Sequence, residues 1–265
     1  MDYTIGCTSR PYNNLSYEEA YAHIAAAGYT DVAVFANEGK TPVDSSSSTE
    51  EIATVRQAAA NAGVVPSMLL GRTKLDLGLD EAVDDYKRLI DNIAQLGTRW
   101  LLDCGTGKEA HYQDYFELMQ RTAPHAQAAG VEITMKPHGG ISLTAEDLIG
   151  AFAKVDRDAF AICYDPGNII FYTVGERRPE TDVEKVVHTL STAIIKDCVV
   201  VDGKADVMVT PGDGLVDFPT ILGKLAGGGF AGPYYVECVG GKTTEEVDRD
   251  LAFTLGYVKG ILAGL

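Results

Sequence analysis

Long apolar runs are missing from this chain: no stretch of about 18 apolar residues, the length that crosses a bilayer, occurs among its 265. Cations are scarce. Lys and Arg number 22 against 38 Asp and Glu, for a formal net charge of −16. Such a field repels nucleic acid and anionic membrane surfaces, so neither is an expected partner. An anionic ligand would need a local basic patch, and Arg10, Lys136 and Lys196 are the candidates near strand ends. The five cysteines (Cys7, Cys104, Cys163, Cys198, Cys238) are odd in number and far apart. They have no metal-type spacing, which fits a reducing cytosol with the thiols as small core residues. The segment Met1-Asp2-Tyr3-Thr4-Ile5-Gly6 has neither a basic region nor an apolar signal core and reads as the approach to a first strand. The expected location is cytoplasmic. No Gly-x-Gly-x-x-Gly fingerprint is present. Cys104-Gly105-Thr106-Gly107-Lys108-Glu109 lacks the Ser/Thr after lysine and the glycine spacing of a phosphate loop.

Apolar residues make up 46% of the chain, enough for a large core, and one local pattern recurs: helical stretch, glycine, apolar strand. Gly28 precedes Asp31-Val32-Ala33-Val34-Phe35, Gly63 precedes Val64 to Leu69, and Gly97 precedes Trp100-Leu101-Leu102-Asp103. Gly130 precedes Val131 to Met135, and Gly229 precedes Tyr234-Tyr235-Val236. A glycine just past a helix end relieves the left-handed residue there, so the pattern predicts repeated αβ units. Ser16-x-x-Glu19, Ser48-x-x-Glu51 and Thr243-x-x-Glu246 match capping boxes, and Thr144-x-x-Asp147 is a weaker relative. Ala82, Tyr86, Leu89, Ile90, Ile93 and Leu96 fall on one helical face. Eight strands are expected at 3–7, 31–35, 64–70, 99–104, 131–136, 160–165, 192–197 and 234–238, with helices between them. That spacing predicts a (β/α)8 TIM barrel, read as a single domain over 1–265. Ser45 to Ser48 reads as a short flexible polar loop.

Four polar clusters end the later strands: Lys136-Pro137-His138-Gly139-Gly140, Tyr164-Asp165-Pro166-Gly167-Asn168, Ile194-Ile195-Lys196-Asp197 and Val236-Glu237. Alternate side chains of a strand point opposite ways. If Lys136 points into the barrel mouth, Thr134 and His138 do too, while Ile133 and Met135 face the helices. Asp165 takes Cys163 inward and leaves Ile162 and Tyr164 outside; Lys196 takes Ile194, and Glu237 takes Tyr235. The clusters converge on one cavity at the carboxyl ends of the strands, where such barrels carry their chemistry.

These clusters, with the opening Ile5-Gly6-Cys7-Thr8 and the Pro211-Gly212-Asp213-Gly214 loop, resemble the xylose isomerase-like barrels, specifically the sugar phosphate isomerase/epimerase group. The resemblance covers essentially the whole chain. It implies a small carbohydrate substrate and a homo-oligomer as an open possibility. Members typically bind one divalent metal (manganese, magnesium or cobalt) through a Glu on strand five, an Asp on strand six, a His on strand seven and a Glu on strand eight. Asp165 matches the strand-six ligand and Glu237 the strand-eight ligand. Lys136 stands at the strand-five position, and Ile194 stands where the usual His-x-Lys-Asp begins. Endonuclease IV relatives need a histidine-rich zinc cluster; here His23, His125 and His188 fall on expected helices, leaving His111 and His138 near the mouth.

A protonated lysine has no lone pair for a metal and repels a dication. The reading therefore favours no bound metal, with the Lys136 ammonium in its place between Asp165 and Glu237. The alternative is a displaced Mn, Mg or Co ion on Asp165, Glu237 and His138. On the favoured reading the chain is an isomerase or epimerase acting on a sugar, keto-sugar or polyol by proton abstraction beside a carbonyl, with lyase-type elimination as a variant. Glu237 is the expected base and Asp165 its partner, and Lys136 and His138 stabilise the enolate oxygen. Arg10, Phe35, His111, Asn168, Tyr172 and Lys196 are expected to bind substrate, although Lys196 with Asp197 also reads as an ion pair at the rim. The competing reading is a noncatalytic carbohydrate-binding barrel, or a barrel subunit of a larger sugar-processing complex, that has lost the ancestral metal site.

Overall fold

The structure, a computed structural model, describes residues 3–265. Eight parallel strands close a barrel: β1 (Ile5–Thr8), β2 (Asp31–Val34), β3 (Val65–Leu70), β4 (Trp100–Asp103), β5 (Glu132–Met135), β6 (Phe160–Tyr164), β7 (Leu190–Ile195) and, after a hairpin, β10 (Tyr234–Val236). The cyclic order is β1-β10-β7-β6-β5-β4-β3-β2. The long outer helices are α1 (Tyr17–Ala26), α2 (Thr49–Ala62), α3 (Leu79–Leu96), α4 (Tyr112–Ala128), α5 (Ala145–Val155), α8 (Phe218–Gly227) and α9 (Thr244–Ala263). Their starts follow the sequence signals. Ser16, Ser48 and Thr243 each close a capping box on the glutamate three residues on, and Thr144 does the same with Asp147. The glycines expected at helix ends all have positive φ, with Gly63 and Gly97 closing α2 and α3 directly. No helix among the described residues is long and apolar enough to cross a membrane.

Strand parity holds. Ile133, Met135, Ile162, Tyr164, Tyr234 and Val236 join the apolar layer between barrel and helices, where the α3 stripe from Ala82 to Leu96 also packs. Ala33, Phe35, Met68, Leu102, Cys163, Ile194 and Tyr235 fill the barrel interior. Two hydroxyl bonds cross that interior, Thr134 to Thr192 at 2.9 Å and Ser67 to Tyr235 at 2.7 Å. The barrel is thus plugged below its mouth by packed side chains, and shortening one of its large apolar members to alanine would cost about 2–5 kcal/mol.

The structure departs from the sequence reading in two places. Between β7 and α8 the chain first makes an antiparallel hairpin, β8 (Val199–Val201) and β9 (Lys204–Asp206). Its turn, Asp202-Gly203, has positive φ at both residues. A β-branched run followed by Asp-Gly is a hairpin signal, and it explains the departure. The loop over Ser45 to Ser48 is pinned rather than free. Ser45 is buried and donates to Asp85 at 2.8 Å while accepting from Lys74 at 2.8 Å. The connection after β6 holds only short helices: α6 (Pro166–Tyr172), the single turn α7 (Val183–Val186) and two 3-10 turns.

Candidate active site

Asp165 follows β6 and caps α6: its Oδ1 accepts the Asn168 backbone N–H at 3.0 Å, and Pro166 takes the first helical position, where no N–H is needed. This fixes Oδ2 toward the barrel axis. The tight start of α6 brings its backbone onto the end of β7; a Cβ at Gly167 would lie 2.5 Å from the Lys196 carbonyl oxygen, so only glycine fits. The side-chain amide of the buried Asn168 donates to the Pro137 carbonyl at 2.7 Å. That bond ties the strand-six loop to the strand-five segment carrying Lys136.

The centre of the site is five charged side chains. Lys136 Nζ lies 2.6 Å from Glu237 Oε2 and 3.4 Å from Asp165 Oδ2. Lys196 Nζ lies 3.0 Å from Glu237 Oε1 and 2.8 Å from Asp165 Oδ2. Arg10, on a short 3-10 turn after β1, donates to Glu237 Oε1 at 3.0 Å. Asp165, Glu237 and both lysines are buried, while the Arg10 side chain is 40% exposed. Three cations thus face two carboxylates, with one positive charge in excess. Asp165 Oδ2 is ion-paired with both ammonium groups, although neither is aligned on it as a hydrogen bond. Lys196 therefore belongs to the centre, not to an ion pair with Asp197 at the rim.

The electrostatics follow from this crowding. Burial alone would push the Glu237 carboxyl up, but Lys136, Lys196 and Arg10 hold it well below the usual carboxylate range. Burial opposes the charge on Lys136 too, and Glu237 and Asp165 outweigh it, so its pKa is raised well above that of a free lysine. A firmly protonated Lys136 is a hydrogen-bond donor and not a Schiff-base nucleophile. At His138 burial, then Lys136 and Lys196, push the imidazole pKa down. The residue as a whole is exposed, so this burial is partial, and the ring centroid lies 5.0 Å from that of Tyr172. Phe35 floors the site, its ring centroid 5.9 Å from Lys136 Nζ. His111 is placed elsewhere, 3.7 Å from Asp76 in the loop after β3.

Asp197 was given too small a part by the sequence. It is fully buried and accepts backbone N–H groups of Cys198, Gly212, Gly214 and Val216 at 2.8–2.9 Å. Gly214 passes so close that a Cβ there would overlap the carboxylate. These bonds pin the hairpin crossover to the strand end carrying Lys196. Alanine at Asp197 leaves the four donors without their acceptor. The expected loss is about 3 kcal/mol or more, read by thermal denaturation as a Tm drop of roughly 6–12 °C.

Two carboxylates do not make a divalent-metal site. Among the described residues no three His, Cys, Asp or Glu side chains are gathered as donors. The expected third and fourth positions hold the Lys136 ammonium and the interior-facing Ile194. His138 does not complete the set with Asp165 and Glu237. The donors present do not fit a metal of the kind the relatives bind.

A cavity of about 300 Å³ opens beside the charged centre, lined by Leu70, Arg72, Thr73, Asp103, Cys104 and His138 among others. A larger hollow of about 790 Å³, lined by Tyr3, Ile5, Gly223, Lys259 and Leu262, lies at the amino-terminal end of the barrel. The smaller one is at the carboxyl ends of the strands, where barrel chemistry sits.

A sequence model for the family described as xylose isomerase-like TIM barrel matches residues 21–255. No curated protein matches the chain. Solved structures do. The D-psicose 3-epimerase of Clostridium cellulolyticum, solved with D-tagatose, is 14% identical over 98% of this chain and 99% of its own, with a TM-score of 0.77. A xylose isomerase-like TIM barrel protein of Mycobacterium smegmatis, in complex with magnesium, is 16% identical over 98% of each chain, also at 0.77. The 3-keto-D-glucoside 4-epimerase of E. coli is 12% identical over 98% of this chain and 100% of its own, at 0.72. At these identities the likeness is one of fold.

Proposed function

This chain belongs to the xylose isomerase-like TIM barrel family, and from that premise we propose that it is a sugar isomerase or epimerase that abstracts a proton beside a carbonyl, with an internal ammonium doing the work of a divalent ion. One observation carries the reading: Lys136 Nζ sits between Glu237 at 2.6 Å and Asp165 at 3.4 Å. A cation in that place polarises a substrate carbonyl and receives the negative charge of the enolate.

The low basicity of Glu237 fits this chemistry. Three cations that depress the Glu237 pKa also depress that of a carbon acid whose oxygen they touch, so the basicity lost at Glu237 is offset by added acidity in the substrate. When Glu237 takes the proton, the bond pair left on carbon delocalises to the carbonyl oxygen. Negative charge thereby moves a short distance within one set of ammonium groups, and Lys136 and Lys196 turn from the carboxylate to the enolate. His138, neutral at pH 7, donates an N–H at the mouth. Asp165 Oδ2, buried beside both ammonium groups, takes the proton of a substrate hydroxyl and passes it to the enolate oxygen, while Glu237 gives back to carbon the proton it took. Arg10, Phe35 and Tyr172 frame the ligand, Asn168 holds the Pro137 segment, and His111 stands at the outer rim.

The test is uptake of solvent deuterium into a panel of keto-sugars by protein purified without chelator, before and after chelation. Incorporation that survives chelation supports the reading. A stoichiometric, tightly bound divalent ion, or activity that disappears with chelator and returns with metal, sinks the ammonium assignment. Absence of both incorporation into and conversion of any sugar supports the noncatalytic alternative.

A further inference from the structure

The cavity beside the charged centre has in its wall an arginine that forms no ion pair among the described residues. Arg72 follows β3, is exposed, and lines the cavity with Thr73 and His138. Two acidic residues of the segment that follows it are paired with other cations. Asp76 is held by Lys108 at 2.6 Å, and Asp85 by Lys74 at 3.0 Å and Arg88 at 3.1 Å. The carboxylate of the cavity wall, Asp103, is buried, and its oxygens are covered by Tyr115 at 2.7 Å, the Gly105 N–H at 2.8 Å and Tyr86 at 3.1 Å. In a chain of net charge −16, the cavity is therefore bounded on one side by a guanidinium that has no ion-pair partner among the described residues. On the other side its wall is Cys104 and His138, both close enough to feel the charges of Lys136 and Lys196 in the buried cluster. Its volume, about 300 Å³, suits a small ligand and not a nucleotide or polymer.

We propose that this cavity takes a sugar derivative bearing an anionic oxygen group, a carboxylate or a phosphate, and that Arg72 binds that group. The guanidinium fork matches both anions bidentately. Binding the anion at Arg72 leaves the neutral part of the ligand toward Lys136 and Lys196, so Arg72 is a specificity residue and not a catalytic one. The inference rests on the sugar reading for the ligand's carbon frame, and binding measured without turnover keeps the two apart.

The experiment is calorimetric titration at low salt with D-gluconate, D-sorbitol 6-phosphate and neutral D-sorbitol, against the wild-type protein and the Arg72→Ala and Arg72→Lys variants. At least one anion is expected to bind about thirtyfold tighter than sorbitol, or ~2 kcal/mol, and the tighter of the two tells carboxylate from phosphate. Arg72→Ala should remove about tenfold or more of that preference while leaving sorbitol unchanged, and Arg72→Lys should recover part of it. Equal affinities for all three, no binding by either anion, or an anion preference intact in Arg72→Ala overturns the proposal. An anion preference that depends on Arg72 in a protein inactive toward solvent deuterium would uphold it and remove the enzyme reading instead.

Discussion

Glu237→Gln is expected to abolish solvent-deuterium incorporation, a loss of about a thousandfold, and to cost more stability than any other single change at the mouth. Glutamine keeps the shape and removes the charge that Lys136, Lys196 and Arg10 share. Two of those cations are buried, and stripping the anion from a buried pair costs about 3–5 kcal/mol. The charge count makes the claim asymmetric. Cations are in excess, so Lys136→Met leaves two cations on two carboxylates and should cost distinctly less than Glu237→Gln, compared by denaturant midpoints. Equal losses would show that the excess charge is not felt. The pH dependence has a definite sign. A carboxylate whose folded pKa is depressed gives stability that is fully present above its unfolded value of about 4.3 and is lost as pH falls through the folded value. Glu237 should therefore stabilise the wild type across the neutral range, and acid should narrow the gap between wild type and Glu237→Gln. If the glutamine variant fails to fold, Glu237→Asp, which retains the charge, reports on activity: folded but slow.

Lys136→Glu is expected to turn the site into a metal site. The substitution replaces an ammonium 2.6 Å from Glu237 and 3.4 Å from Asp165 with a third carboxylate, and reverses the excess charge of the cluster. A gain of about a hundredfold in Mn²⁺ affinity over the parent, about 2.8 kcal/mol, is a modest demand. One close contact between unit charges is already worth about 4 kcal/mol at an effective dielectric of 20. Adding Ile194→His supplies the fourth donor type from the strand-seven position. Manganese at a hundred times its dissociation constant should then stabilise the variant by about 2.7 kcal/mol, a Tm rise of roughly 5–10 °C, with no such rise in the parent. Equal shifts in parent and variant would mean that the parent binds the ion through other donors and that Lys136 is not the obstacle.

The barrel was legible because its signals are local and repeated. The helix-end glycines, the capping boxes and the strand alternation each need only a few neighbouring residues to be read. Alternation also placed Lys136, Asp165, Lys196 and Glu237 on one axis. Their pairing depended on distance across the fold and could not be read. Lys196 was divided between the substrate and Asp197, because adjacency in sequence suggests a pair that the strand forbids: neighbouring side chains point opposite ways. Asp197 faces outward to four backbone donors spread from Cys198 to Val216, a pattern of amides that no side-chain motif announces. Arg10 meets Glu237 only because β1 and β10 are neighbours in the closed sheet. The Asp202-Gly203 turn is a local hairpin signal, and it stands where a repeated βα unit predicts a helix directly after the strand.

The plug of side chains beneath the mouth has a kinetic consequence. Tyr235, Ile194, Cys163 and the Thr134–Thr192 bond close the barrel from below, and Glu237 has no exposed surface of its own. Ligand and water must then share one doorway. While a sugar stands in it, a proton resting on Glu237 has no route to bulk solvent and partitions toward going back to the carbon frame it left. Under the proposed chemistry the product should therefore carry fewer solvent deuterons than turnovers. Widening the doorway, as by Tyr172→Ala, should raise that ratio toward unity even as it slows the reaction.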